Sequence, residues 1–300
     1  MISDKITEQK NPVSSDIDEK TTSEILTMIN NEDANVAQAV QKRLQDIEMF
    51  IDALCARFKD GGRLFYVGSG TSGRLGVLDA AECPPTYRTD PEMVQGIIAG
   101  GHDALVRSIE GAEDYLEDGV QVVSDHNIRA NDTVLGITAS SSTPFVLGTL
   151  EESKKIGALT GLIICNKPPH LQYVDHIISL VVGPEVITGS TRMKAGTATK
   201  LALNMITTTL MIKLNKTYGN IMVDLKASNK KLWDRGTRII VHLTGLDYKD
   251  SLQLLKSANG EVKTAIVMKK KNCTYKEGVQ LLQSVSGSLK NALLLTRFLP

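Results

Sequence analysis

Long apolar runs are missing from this 300-residue chain. No stretch approaches the roughly 20 residues that span a bilayer, and the first residues lack the apolar core of a signal peptide. Cysteine is sparse: Cys55, Cys83, Cys165 and Cys273 stand far apart with no Cys-x-x-Cys pair, which argues against a disulfide framework or a zinc site. The five histidines (His102, His126, His170, His176 and His242) show no ligand spacing, so no metal is expected. Neither sign of charge prevails, since 34 Lys and Arg balance 34 Asp and Glu. A dedicated nucleic-acid binder would carry a dominant basic face. The one obvious basic run, Lys269-Lys270-Lys271, reads as a solvated helix face. These absences suit a reducing, cytoplasmic setting, with neither nucleic acid nor membrane as a partner.

What is present is a chain 42% apolar, enough for one large domain or one domain with a small appendage. Residues 1 to about 20 are polar and read as an arm or flexible lead-in. Helical spacing begins near Ser23 and resumes from Val36 to Phe58, ending at Gly61-Gly62. Short apolar runs then alternate with helical stretches. Strands are predicted at Arg63–Val67, Met93–Ala99, Thr133–Thr138, Leu159–Cys165 and His176–Val182. The helices between them are Gly73–Ala81, stopped by Pro84-Pro85, Asp103–His126 with a break near Gly111, and Pro144–Ile156. A long helix follows over Met193–Leu214. Strands joined by crossover helices imply a parallel sheet covered on both faces. The expected fold class is α/β, a doubly wound five-stranded parallel sheet in flavodoxin-like order. From Leu246 onward three or four short helices are expected, with turns at Gly260 and Gly287. The domain reading is an N-terminal arm and helix over 1–45, a sheet domain over 46–244, and a small helical subdomain over 245–300.

Gly68-Ser69-Gly70-Thr71-Ser72-Gly73 follows a strand and opens a helix, matching the G-x-G-x-x-G string. A dinucleotide site also wants an acidic residue at the end of the next strand. That strand ends Ile98-Ala99-Gly100-Gly101 with no acid, so no nucleotide cofactor is expected. Hydroxyls at Ser69, Thr71 and Ser72 beside backbone N–H groups at a helix N-terminus suit a phosphate monoester instead. A second cluster, Thr138, Ser140, Ser141, Ser142 and Thr143, follows the third strand. Helix capping explains Ser142 or Thr143 alone, but not the whole cluster. In a 2-1-3-4-5 sheet the first and third strands are neighbours, so both loops converge where ligands bind.

These loops resemble the sugar-phosphate pocket of the sugar isomerase (SIS) domain family, Gly70-Thr71-Ser72 its first phosphate loop and Ser140 to Thr143 its second. Longer strings are similar to the N-acetylmuramic acid 6-phosphate etherase family: Asp79-Ala80-Ala81-Glu82-Cys83-Pro84-Pro85-Thr86-Tyr87, then Glu110-Gly111-Ala112-Glu113-Asp114, then Gly183 to Thr197. The resemblance covers essentially the whole chain and makes the C-terminal helices the family's helical appendage. One departure stands out. The family's second loop usually reads Ser-Gly-Arg-Thr-Pro, whereas here it reads Ser140-Ser141-Ser142-Thr143-Pro144, which keeps two hydroxyls and loses a positive charge. The resemblance implies cleavage of a D-lactyl ether without a cofactor, a homodimer, and two catalytic glutamates, Glu82 and Glu113. The phosphate ligands it implies are Ser69, Gly70, Thr71, Ser72, Ser140, Ser141 and Thr143. Glu185, Arg192 and Lys194 either line the pocket or serve as ion pairs and helix-start charges. A non-catalytic sugar-phosphate sensor, like glucokinase regulatory protein, and a sugar-phosphate isomerase are the alternatives on the same fold.

Overall fold

The computed structural model describes residues 5–295. Contacts divide the chain into two compact units, the first comprising residues up to Ala81 with Pro91–Thr207, the second Glu82–Asp90 with Thr208 onward.

The first unit is built on β1 (Leu64–Gly68), β2 (Val94–Ile98), β3 (Thr133–Ile137), β4 (Leu159–Ile164) and β5 (His176–Ser179). All pair in parallel, in the order β2-β1-β3-β4-β5. Every residue of β1, β3 and β4 is buried, as the unbroken apolar runs require of strands covered on both faces. Gly68 lies opposite both Ile98 and Ile137, so three strands end level with one another. The α/β class and the doubly wound order are therefore as the sequence implies.

Helices α1 (Thr22–Asp33), α2 (Val36–Gln41) and α3 (Leu44–Lys59) precede β1. The single helix expected over Val36–Phe58 is two, because Arg43 leaves helical backbone with φ −118° and starts α3. Between the strands lie α4 (Gly70–Tyr87), α5 (Leu116–Asp125) and α6 (Pro144–Lys155), and α7 (Lys194–Lys213) follows β5.

Three local expectations fail, each where distant contacts override the local signal. The arm is not a loose lead-in: it forms short 3-10 turns at Ile6–Glu8, Pro12–Ser14 and Ile17–Glu19. Thr7, Asn11 and Ser14 within it are buried, because polar partners far along the chain hold them. The Asn166 side chain accepts from the Ile6 N–H at 2.7 Å, and the Asn11 amide and Ser14 hydroxyl donate to the Pro184 and Val186 carbonyls at 3.1 and 2.8 Å. Helix α4 is not stopped before Pro84-Pro85 but runs through both to Tyr87. Each proline removes one helical hydrogen bond. The turn nonetheless closes with Arg88 N–H on the Pro84 carbonyl at 2.9 Å, while Cys83 and Thr89 are buried and Arg88 pairs with Glu261 at 2.9 Å. The stretch Asp103–His126 is helical only at its ends, as a 3-10 turn over His102–Leu105 and then α5, with an irregular loop between.

Helices α5 and α6 pack through two glycines. A Cβ on Gly119 would stand 2.0 Å from the Phe145 carbonyl, and one on Gly148 would stand 2.4 Å from the Leu116 carbonyl. Backbone therefore meets backbone, which fixes how close the loops entering these helices come. Val122, Val123, Phe145, Val146 and Leu150 continue this contact into the core over Phe65, Val134 and Leu162.

The second unit carries a two-stranded ribbon, β6 (Thr217–Tyr218) with β7 (Ile221–Met222), and helices α8 (Lys230–Thr244), α9 (Tyr248–Ser257), α10 (Val262–Lys271), α11 (Tyr275–Ser284) and α12 (Leu289–Leu294). Its own core joins Ile240, Leu255, Ile266 and Leu282. Lys263 is held there by Asp224 and by the Asn215 and Gly287 carbonyls.

Overpacking of a closed backbone contact costs about 1–3 kcal/mol. Gly119→Ala and Gly148→Ala should each lower stability by that order, read from urea midpoints, whereas alanine at Gly278 of α11, where a Cβ meets nothing closer than 3.5 Å, should not.

Candidate functional site

The level ends of β1, β2 and β3 release three loops side by side: residues 69–72, 99–115 and 138–143. The first passes directly into α4, whose opening bond runs from Gly73 N–H to the Ser69 carbonyl at 3.0 Å. A side chain at Gly73 would meet Ile98 Cγ1 at 2.6 Å and the Gly68 carbonyl at 2.8 Å. The last glycine of the G-x-G-x-x-G string is thus required by the packing of α4 on the sheet, without a nucleotide. Ser69, Thr71 and Ser72 stand half-buried around the helix start, where N–H groups and the helix dipole favour an anion.

Glu113 joins the three loops. It sits in a turn closed by Asp114 N–H on the Gly111 carbonyl at 3.1 Å. Its carboxylate accepts the Ser69 hydroxyl of the first loop. Its own carbonyl accepts the Phe145 N–H, at 3.1 Å, in the first turn of the helix behind the third loop. One residue is therefore tied to the β1 loop by its side chain and to the β3 loop's helix by its main chain. Ser69, Gly70, Glu110 and Glu113 line a cavity of about 290 Å³ between the first and second loops, a size for one small ligand.

Arg74 also lines this cavity. Its guanidinium donates to the Leu105 and Arg107 carbonyls at 3.1 and 3.0 Å, which holds the Glu113 loop against α4. Sequence reasoning did not single it out. The available signal was its position four residues after Gly70, on the same helix face.

In the third loop the hydroxyls form a chain. Thr138 lies 2.7 Å from Thr143 and 3.4 Å from Ser140, and Ser140 lies 3.2 Å from Ser142. Thr143 is the N-cap residue of α6, yet its side chain makes no capping bond and faces Thr138 instead. Ser141 has φ +64°, a left-handed conformation that costs a non-glycine residue on the order of 1–2 kcal/mol.

Glu82 is placed differently. It lies in the last turns of α4, and it is exposed. It falls in the segment Glu82–Asp90 of the second unit. Glu185 is fully buried, and its two carboxylate oxygens accept the Lys194 and Ala195 N–H groups at 3.0 and 2.9 Å, which caps α7. Burial pushes its carboxyl above the usual range, against the pull of those two N–H donors. Lys194 pairs with Glu32 of α1, and Arg192 is exposed. Of the two roles open to Glu185 and Lys194, the structure gives them the structural one.

A largely buried polar cluster steadies α4 and α7 on the sheet. Asp79 accepts hydroxyls from Tyr66 at 3.0 Å and from Thr207 at 3.2 Å. Burial raises its carboxyl above the ordinary value, and those donors and the Lys200 charge oppose the rise. Among the described residues, no group of three or more His, Cys, Asp or Glu side chains converges as metal ligands would, and no helix is long and apolar enough to cross a membrane.

Sheet order and hydroxyl loops together define a domain of the sugar isomerase class. The family model for the glucokinase regulatory protein N-terminal SIS domain matches residues 46–154. A Listeria monocytogenes protein ascribed to the sugar-phosphate isomerases shares the fold, with a TM-score of 0.50 at 14% identity over 66% of this chain and 94% of that one. Closer relatives narrow the class. N-acetylmuramic acid 6-phosphate etherase of Clostridium acetobutylicum is 52% identical over 272 residues, covering 90% of each chain. The protein of that name from Geobacillus sp. (strain WCH70) is 50% identical over 268 residues, covering 89% of this chain and 91% of its own. The chain belongs to the N-acetylmuramic acid 6-phosphate etherase family.

The raised Asp79 carboxyl gives a pH test. From an unfolded value near 3.8, a raised folded value means that the native state keeps a proton the unfolded chain has released. Its contribution is then complete below the unfolded value and lost as pH rises through the folded one. Relative to Asp79→Asn, the wild type should lose stability over that window and run parallel to the variant above it. Denaturant midpoints taken from pH 4 upward check this.

Proposed function

We propose that this chain removes the D-lactyl ether of N-acetylmuramic acid 6-phosphate, giving N-acetylglucosamine 6-phosphate and D-lactate by elimination and then addition of water. Direct displacement at an ether is slow because the leaving group is poor. The open-chain sugar offers an easier route, since its C1 aldehyde acidifies the C2 hydrogen and the C3 ether lies beta to that carbon. Loss of the C2 proton expels lactate and leaves an unsaturated aldehyde, to which water adds at C3. One group must take a proton and one must give it, and two carboxylates suffice.

The observation that carries this reading is the Glu113 carboxylate on the Ser69 hydroxyl, at the rim of the cavity beside the first loop. The contact holds the carboxylate beside the loop that opens α4, where a base acting on a bound sugar phosphate has to stand. Ser69, Gly70, Thr71 and Ser72, with Ser140, Ser141 and Thr143, anchor the 6-phosphate. Glu113 takes the C2 proton or assists ring opening. Glu82 protonates departing lactate and activates the incoming water, a role resting on its motif position. The sugar phosphate is the substrate, and the active assembly is a homodimer in the cytoplasm.

Incubation of the purified protein with N-acetylmuramic acid 6-phosphate should release D-lactate. Sugar-phosphate binding without lactate would make the chain a sensor, and a ketose product would make it an isomerase. Glu113→Gln should lower kcat by about 10²–10⁴-fold and abolish deuterium exchange at C2. Glu82→Gln should slow lactate release while exchange persists. Normal exchange in Glu113→Gln together with lost exchange in Glu82→Gln would reverse the assignment.

A further inference from the structure

The third loop presents hydroxyls and no cation, although a phosphate monoester carries close to two negative charges. A cation nevertheless reaches that loop from far away in the sequence. The Lys5 ammonium donates to the Ser142 hydroxyl at 2.5 Å, across 137 positions of chain. Ser142 continues through Ser140 to Thr138 and Thr143. Among the described residues, no carboxylate forms an ion pair with Lys5.

The approach is fixed by a buried latch. Asn166, 3% exposed, follows β4, and one face of its amide binds the arm. Its oxygen accepts the Ile6 and Thr7 N–H groups at 2.7 and 3.4 Å, and its nitrogen donates to the Thr7 hydroxyl at 3.1 Å. The same nitrogen donates to the Ala139 carbonyl, at 2.8 Å, in the serine loop itself. A single side chain thus ties the residues just after Lys5 to the residue just before Ser140. Thr7 is 1% exposed, so the arm is anchored immediately beside the lysine.

We infer that Lys5 is a phosphate-binding residue, the positive charge that the hydroxyl loop 140–143 lacks, delivered by the N-terminal arm and positioned by Asn166. The inference deepens the proposed function, because it rests on reading the two hydroxyl loops as the phosphate anchor. An ammonium on a hydroxyl can move to a phosphate oxygen by a small rotation of the lysine stem, and a charge-assisted bond to the anion is the stronger of the two. Binding then draws on an arm that no local sequence signal connects with the loop.

Calorimetric titration with N-acetylglucosamine 6-phosphate tests this without relying on ether cleavage. Lys5→Gln should raise the Kd about tenfold while leaving the melting temperature of the free protein unchanged. Lys5→Arg should stay close to wild type, and Ser142→Arg placed in Lys5→Gln should recover most of the loss. The difference between wild type and Lys5→Gln should shrink as salt is raised, which a purely structural role would not produce. An unchanged Kd in Lys5→Gln, or a loss that Lys5→Arg shares, would overturn the assignment while leaving the phosphate anchor standing. Failure of the wild type to bind the sugar phosphate would remove the anchor and, with it, the role of Lys5.

Discussion

Parallel strands that end level leave their following loops side by side, and something must keep those loops in register once the sheet's own hydrogen bonds stop. Here the task falls to Glu113. Its carboxylate holds Ser69 of the β1 loop, and its carbonyl holds the Phe145 N–H behind the β3 loop. The two hydroxyl loops are therefore spaced through the residue that sits between them. Arg74 reinforces the arrangement from α4 by gripping the Leu105 and Arg107 carbonyls. The backbone contact of α5 with α6 at Gly119 and Gly148 reinforces it from below.

Such an arrangement is economical for acid–base chemistry on a phosphorylated sugar. Helix N-termini and short hydroxyls favour an anion, and in the proposed reading a phosphate held there orients the rest of the sugar. In that reading the carboxylate that spaces the loops stands beside the bound sugar. Geometry and charge come from one residue, and its partner hydroxyl belongs to the first hydroxyl loop. The polar cluster of Tyr66, Asp79 and Thr207 does the complementary work of fixing α4 and α7 on the sheet.

Much of this architecture is legible in the sequence, and the reasons for the exceptions are physical. Apolar runs such as Val134-Leu135-Gly136-Ile137 identify buried strands whatever their surroundings, and crossover helices force them to be parallel. The two hydroxyl loops are legible because a plain turn does not need so many hydroxyls. Pro84-Pro85 misleads because proline's cost is local, whereas the packing of Cys83 and Thr89 and the Arg88 pair with Glu261 belong to distant sequence. The arm misleads in the same way, since Thr7, Asn11 and Ser14 are polar residues whose partners lie at Asn166, Pro184 and Val186. Glu113 shows no periodicity or spacing that marks it out, and only its resemblance to a family motif selected it. Arg74 had a helical-face signal that was present but is common to many surface arginines.

The central claim is that one carboxylate stands between two anion-gripping loops and faces the sugar they hold. Crystals of the protein grown with N-acetylglucosamine 6-phosphate would examine it directly. The account predicts phosphate oxygens within hydrogen-bond reach of residues 69–72 and 140–143, and the Glu113 carboxylate against C2 of the same molecule. A phosphate bound elsewhere, or a Glu113 side chain turned away from the sugar while the loops are filled, would contradict it.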